Sequence, residues 1–390
     1  MTFKPASRVA NFGTTVFADI AQLVAENNPL DLSTGVPDTD GPPEAVAAVA
    51  EALHAGHNQY ADTQGERVLR EAVAEHACRF YGQRVNPDTE VTVTNGAVEA
   101  LYSVCASLIN PGDEVIIVEP YYEVFVPDVL MADGVPRFVP LHPPDWHLDL
   151  EELADAFGER TRAIIVNTPH NPTGRVFTRA ELETISALCR KWNAIAITDE
   201  VYEHLVYDGA RHVRLATLPT MHERTVTISS ISKTFSFTGW RIGWTIAPPD
   251  LTRAIRLAHQ YVVDCSATPM QHGAAAALRL PDKYFTDYAQ MYAAKRDSLI
   301  ESLLATGLDV SIPQGSYFIL AGIEPLGFDD DFAFCRHLIR DVGVASIPPS
   351  AFFSPTHRYI GRKYARFAFC KTPELLQRAT ERLATLGVRP

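Results

Sequence analysis

Between residues 90 and 246 the chain alternates short apolar runs with helix-patterned stretches. No other feature restricts its fold as much. EVTVTNG, EVIIVEP, TRAIIVNTP, AIAITDE, TVTISSISK and RIGWTIAP follow one another, and the early ones carry Val and Ile on both faces. Strands of that kind are buried on both sides, as they are in parallel sheets. AVEALYSVCASLIN and TRAELETISALCRKWN, with apolar residues at helical spacing, fall between them. Parallel neighbours need crossover connections, and these are right-handed. The pattern predicts an α/β fold with a mostly parallel, doubly wound sheet.

Ligands of such sheets bind beyond the carboxyl ends of the strands. Notable residues collect there: Gly96 after the first run, Tyr121 and Tyr122 after the second, Asn171 after the third. Asp199 closes the fourth, and Ser230 and Lys233 follow the fifth. Beyond about residue 280, long helical patterns enclose the short strands GSYFILAG, VASIP and YARFAFC. The expected organisation is a large domain over residues 41–280 and a smaller α+β domain over residues 281–390. Residues 1–40 form an arm that docks on the smaller one.

Composition narrows the function classes. The 390 residues carry a net charge of −13 and no long basic run. Nucleic acid and anionic membranes are therefore excluded as main partners. With 46% apolar and 21% charged residues, the chain can build a large core. Its apolar runs are too short to span a membrane, and MTFKPASRVANFG lacks the apolar segment of a signal peptide. Cys78, Cys105, Cys189, Cys265, Cys335 and Cys370 show neither CxxC nor metal spacing, so they read as thiols of a cytoplasmic protein. The dispersed histidines predict no metal. GxSxG is absent, and no GxGxxG follows the first strand, which disfavours a hydrolase or a nicotinamide enzyme.

The segment SSISKTFSFTGWRIGW places Lys233 among hydroxyls, ahead of an aromatic stretch. It is either a solvated loop lysine or a desolvated one. Desolvation lowers an amine from about 10.4 and frees it to attack an aldehyde. Arg241 reads as a strand residue with one face buried. Beside Ser230 and Ser232 it suits a phosphate dianion. Gly96 opens a helix whose free N–H groups suit the same anion. Asp199 is either a helix cap or a carboxylate facing a cationic heterocycle, and Glu200 beside it competes for that role. Asn171, in TPHNPTG, is either a turn residue or a ligand. An amine for an imine, a phosphate site and a carboxylate for a ring nitrogen together describe pyridoxal 5′-phosphate.

With GTTVF, LSTGVPDTDGPP, NQYADTQG, NTPHNPTG, TDEVY, SISKTFSFTGWRIGW, PQGSYF and ARFAFCK in this order, the chain resembles the class I/II aminotransferases of pyridoxal-phosphate fold type I. It is most similar to the branch that holds kynurenine, glutamine and methionine aminotransferases. The resemblance implies catalytic roles for Lys233, Asp199 and Tyr202. Lys233 would form the internal aldimine and shuttle the proton, and Asp199 would keep the pyridine nitrogen protonated. Asn171 and Tyr202 would bind the ring 3-oxygen, and Tyr122 would stack on the ring. Gly96, Ala97, Val98, Ser230 and Arg241 would hold the phosphate. Tyr60 would reach the phosphate of the neighbouring subunit in a homodimer. Arg366, helped by Asn171 and the backbone of Gly35, would bind the α-carboxylate of the amino acid and 2-oxo acid substrates.

Three positions depart from that branch: Thr34 where Gln is common, Val36 where Phe is common, and Asp264 where an apolar residue or His is usual. The resemblance implies that the loop of Asp264 lies close to the substrate side chain, often that of the partner subunit; Asp264 either pairs there with a cationic, arginine-like donor or faces solvent or caps a helix. Phe17, Tyr122, Phe352 and Phe353 would equally suit an aromatic or sulfur-containing donor. The alternative on the same scaffold is a lyase or cyclase. A regulator built on an aminotransferase-like domain would need a basic DNA-binding module.

Overall fold

The computed structural model describes residues 4–10 and 12–386. Its strands are β1 (Leu30–Asp31), β2 (Val91–Thr94), β3 (Glu114–Glu119), β4 (Val135–His142), β5 (His147–Leu148), β6 (Thr161–Asn167) and β7 (Ile195–Asp199). They continue with β8 (Thr225–Ser230), β9 (Gly243–Ile246), β10 (Asp309–Ser311), β11 (Phe318–Gly322), β12 (Val344–Ala345) and β13 (Tyr364–Ala368). Eight of them form one sheet in the order β2-β9-β8-β7-β6-β3-β4-β5. The strands β4, β3, β6, β7 and β8 run parallel to their neighbours in the series. β9 is antiparallel to both β8 and β2, so β2 points the same way as β8. Every strand end singled out in the sequence therefore meets one edge of the sheet.

β2, β3, β7, β8 and β9 are buried along their whole lengths, and accordingly they carry no charge except at the ends of β3 and β7. β4 escaped the sequence reading. Its first half alternates exposed and half-exposed residues and it carries Pro136 and Pro140. Proline is tolerated there because only the two-residue β5 lies beyond it. The helix Gly96–Leu108 buries Ala100, Leu101, Val104, Cys105 and Leu108 at helical spacing against this sheet. That packing holds its N-terminus over the carboxyl edge.

A second sheet, β10-β11-β13, is antiparallel, and β1 pairs in parallel with β12. One apolar cluster joins Val16, Ile20 and Leu30 near the N-terminus to Leu299, Leu303, Ile319, Phe334 and Leu376 far down the chain. The helix Val16–Asn27 begins at Thr15, whose hydroxyl accepts from the Ala18 N–H at 3.2 Å, and this fixes where Phe17 enters the cavity. No helix among the described residues is long and apolar enough to cross a membrane.

Candidate active site

A cavity of about 360 Å³ opens at the carboxyl edge of the large sheet. Its walls include Gly35, Ala97, Val98, Tyr122, Asn171, Asp199, Tyr202, Ser230, Lys233, Arg241 and Arg366. These residues come from places spread over more than 330 positions of sequence, and the sheet and its crossovers bring them together.

Lys233 follows β8 in a turn. Its Nζ approaches the Gly35 carbonyl at 3.4 Å and lies 5.9 and 5.7 Å from the ring centres of Tyr202 and Tyr317. Burial among these groups pushes the amine down to about 8, although Cys370 and Asp199 partly oppose the shift. Asp199 ends β7. Burial pushes its carboxyl up to about 7, against a 3.3 Å contact from the Val201 N–H and the nearby Lys233. Its competitor Glu200 points to the other side of the strand, as the two-residue period of a strand requires. There it accepts from His212 at 2.9 Å, Arg214 at 3.0 Å and Thr198 at 2.8 Å. Arg214 is wholly buried and also donates to Glu203 at 2.6 Å.

Arg366 lies in the middle of β13, only 1% exposed. Nη1 donates to Asn171 Oδ1 at 3.1 Å and Nη2 to the Ser33 carbonyl at 2.7 Å, while Nε has no partner. The guanidinium stacks 4.2 Å from the Phe318 ring centre, with Phe17 and Phe352 each at 5.3 Å. Burial pulls it down to about 10, so it stays cationic at neutral pH. A buried cation with an open donor is suited to a carboxylate.

At the opposite wall the helix Gly96–Leu108 has no side-chain cap at Asn95, and Ala97 and Val98 of its first turn line the cavity. Arg241 crosses directly over Gly96. A Cβ on Gly96 would sit 2.3 Å from Arg241 Nη2, and its φ of +81° independently favours glycine. Gly243 is glycine for a related reason: a Cβ there would stand 2.7 Å from the Gly96 carbonyl carbon. Ser232 Oγ is buried without a partner. Uncapped amides, an arginine and an orphan hydroxyl fit a phosphate. The amine and the carboxyl across the cavity fit an aldehyde and a ring nitrogen, so the residues present suit pyridoxal 5′-phosphate.

Several expectations need correction. Arg241 is not part of a strand: it precedes β9, is exposed, and adopts φ +54°. The turn it makes, rather than a sheet face, aims it at Gly96. Asp264 lies outside the cavity, exposed, in the loop between the helices Pro249–Val262 and Thr268–Leu278, with φ +64°. It cannot meet a substrate held by Arg366 of the same chain. Tyr60, expected to serve the neighbouring subunit and not its own, needs no such correction: it lies outside this cavity, 87% exposed, beside a shallow hollow that it shares with Cys265 and Ser266. Phe352 and Phe353 are buried behind the walls rather than on them. The Gly35 carbonyl is turned toward Lys233 and accepts from the Tyr317 hydroxyl at 2.7 Å. The dispersed histidines do meet an acid: His76, Glu203 and His204 place ligand atoms within 4.8 Å of one another. All three of those groups are already matched, with His76 Nε2 2.7 Å from His204 Nε2 and Glu203 bonded to Arg214 and Ser229.

Sequence reasoning missed Glu123, Thr238 and Phe318 among the wall residues. Nothing local distinguishes them, although Glu123 directly follows the singled-out Tyr122. Thr34 has a structural explanation: its hydroxyl donates to Asp31 at 2.7 Å and lies 3.3 Å from Lys371 Nζ, tying the loop to the end of β13.

Fold and cavity together define a pyridoxal-phosphate enzyme of fold type I. The model of the family "Aminotransferase class I and II" matches residues 27–383, and the chain belongs to that family. It is 38% identical to the kynurenine–oxoglutarate transaminase of Dictyostelium discoideum, over 99% of this chain and 97% of that protein. It is 36% identical to the methionine aminotransferase of Escherichia coli strain K12, over 98% of each. Among solved structures, the N-succinyldiaminopimelate aminotransferase from Mycobacterium tuberculosis superimposes with a TM-score of 0.95 at 41% identity, covering 98% of this chain and 100% of that one. The protein is a pyridoxal-phosphate-dependent aminotransferase that moves an amino group from an amino acid to a 2-oxo acid.

Proposed function

We propose that Lys233, Asp199, Asn171, Tyr202 and Arg366 carry this transfer. The observation that carries the assignment is the meeting, in one cavity, of an amine lowered to about 8 with a buried arginine whose Nε is free. The bound cofactor supplies an aldehyde for a covalent link and a pyridine ring that takes up an electron pair. Lys233 would anchor it through Nζ, and the same amine, when free, would hold the α-proton. Asp199 would keep the ring nitrogen protonated by offering a carboxylate whose nearby countercharge among the described residues is Lys233. Asn171 and Tyr202 would bind the ring 3-oxygen and Tyr122 would pack on the ring. Gly96, Ala97, Val98, Ser230 and Arg241 would hold the phosphate.

Arg366 grips the α-carboxylate through its fork. A lysine there could not reproduce that geometry. Phe17, Tyr122 and Phe318 give the donor's side chain an apolar corridor, suited to an aromatic or sulfur-containing stem or to the methylenes of a cationic one.

The active unit is a homodimer in which Tyr60 reaches the partner's phosphate. Tyr60 and Tyr261, each 87% exposed, and Leu257, 59% exposed, support this reading. The free state of all six cysteines supports a reducing, cytoplasmic compartment. In the division into residues 41–280 and 281–390, the docking of residues 1–40 on the latter is supported by the cluster that joins Val16 to Leu376.

The test is borohydride reduction of the cofactor-loaded protein followed by peptide mapping. The label is expected on Lys233, and a label elsewhere removes the assignment. Adding an amino acid without a 2-oxo acid should convert the chromophore to the pyridoxamine form without releasing ammonia.

A further inference from the structure

Glu123 is the wall residue with no structural duty. Its side chain is half-buried beside Tyr122, within the compartment that holds Arg366. Burial raises its carboxyl above the usual range, and the only opposing group is Arg366, which lies beyond ion-pair distance. No hydrogen bond from a described residue holds it. A carboxylate kept partly dry and unpaired is costly unless something outside the protein pairs with it. The nearer acids behave differently: Asp199 takes a backbone N–H, and Glu200 and Glu203 share Arg214.

Its place also matters. Arg366 and Lys233 would fix the two ends of an amino acid's reacting part, and Phe17, Tyr122 and Glu123 line the same cavity. On its far side Glu123 also lines an outer hollow in which Asp19 and Asp330 stand with Arg358 and Arg362, so acids and bases are mixed there. We propose that Glu123 is a specificity-determining residue that accepts the distal ammonium or guanidinium of a basic amino donor. It replaces Asp264, whose position outside the cavity bars it from that task in its own chain. This rests on the placement of the donor's α-carboxylate at Arg366.

Binding without turnover tests it. α-Methyl-lysine and α-methyl-norleucine lack the α-hydrogen, have nearly the same shape, and differ in the terminal cation. Their dissociation constants with the holoenzyme are read from the cofactor's absorbance. The wild-type ratio should favour the lysine analogue, and Glu123→Gln should reduce that ratio roughly 10- to 100-fold, the worth of one charge-assisted hydrogen bond. Glu123→Asp, which keeps the charge, should retain most of it. If Glu123 merely tunes Arg366, Glu123→Gln will shift both analogues together and leave the ratio unchanged, which overturns the proposal. A wild-type ratio near one overturns it as well. Failure of every donor to yield a 2-oxo acid would instead count against the transamination roles above, and the binding ratio would still decide Glu123.

Discussion

Replacing Gly96 by alanine separates backbone strain from cofactor chemistry. Two costs arise at this position. The first is conformational: φ is +81°, and an L-residue there pays about 1–2 kcal/mol. The second is steric. The new Cβ would lie 2.3 Å from Arg241 Nη2, so the guanidinium must recede by about 1.2 Å to reach an ordinary contact of about 3.5 Å. Arg241 is the end of a flexible side chain, so this movement costs little folding energy. It does draw the cation away from the helix N-terminus proposed to hold the phosphate. Gly82 is a matched control: its φ is +64°, and nothing lies within 4 Å of a Cβ added there.

Urea unfolding of the cofactor-free chain should therefore show a similar loss of about 1–2 kcal/mol in Gly82→Ala and Gly96→Ala. Cofactor affinity, titrated by absorbance, should fall roughly 10- to 100-fold only in Gly96→Ala, as expected when a charge-assisted contact is weakened. Equal cofactor affinity in the two variants would refute the reasoning, because the contact between Gly96 and Arg241 would then have no part in holding the phosphate.

Lys233→Ala should abolish transfer while the phosphate site still retains cofactor, so a variant with normal turnover would remove Lys233 from its role. The rate at which cofactor-free protein captures pyridoxal 5′-phosphate should rise with pH and level off above about 8. Only the neutral amine attacks, and at pH 7 roughly a tenth of it is neutral, against about 0.03% for an amine at 10.5. Stopped-flow rates that keep climbing to pH 10 would show that Lys233 is not desolvated. Arg214→Met should destabilise the chain by about 3–5 kcal/mol in urea titration, since Glu200 and Glu203 would be left buried without a cation. A loss below about 1 kcal/mol would mean that water reaches those carboxylates.

Local pattern alone determined a good deal here. The apolar runs of β2, β3, β6, β7 and β8 announce a buried parallel sheet because residues covered on both faces have no polar alternation to hide. The residues after those runs announce a site because strands pointing the same way end at the same edge. Lys233 and Gly96 were legible for that reason. Only the tertiary structure could choose between Asp199 and Glu200, adjacent carboxylates whose fates depend on which side of β7 meets Arg214. It alone took Arg241 off a strand and set it over Gly96, through a left-handed turn that propensity does not announce. It set Asp264 outside the pocket of its own chain and put Glu123 on the wall, because a side chain's surroundings come from elements far away in sequence. Arg366, 133 positions after Lys233, faces it only because β13 is held against β11 beside the arm that carries Ser33 and Gly35. Burial and charge pairing are sums over such distant neighbours, and no window of sequence contains them.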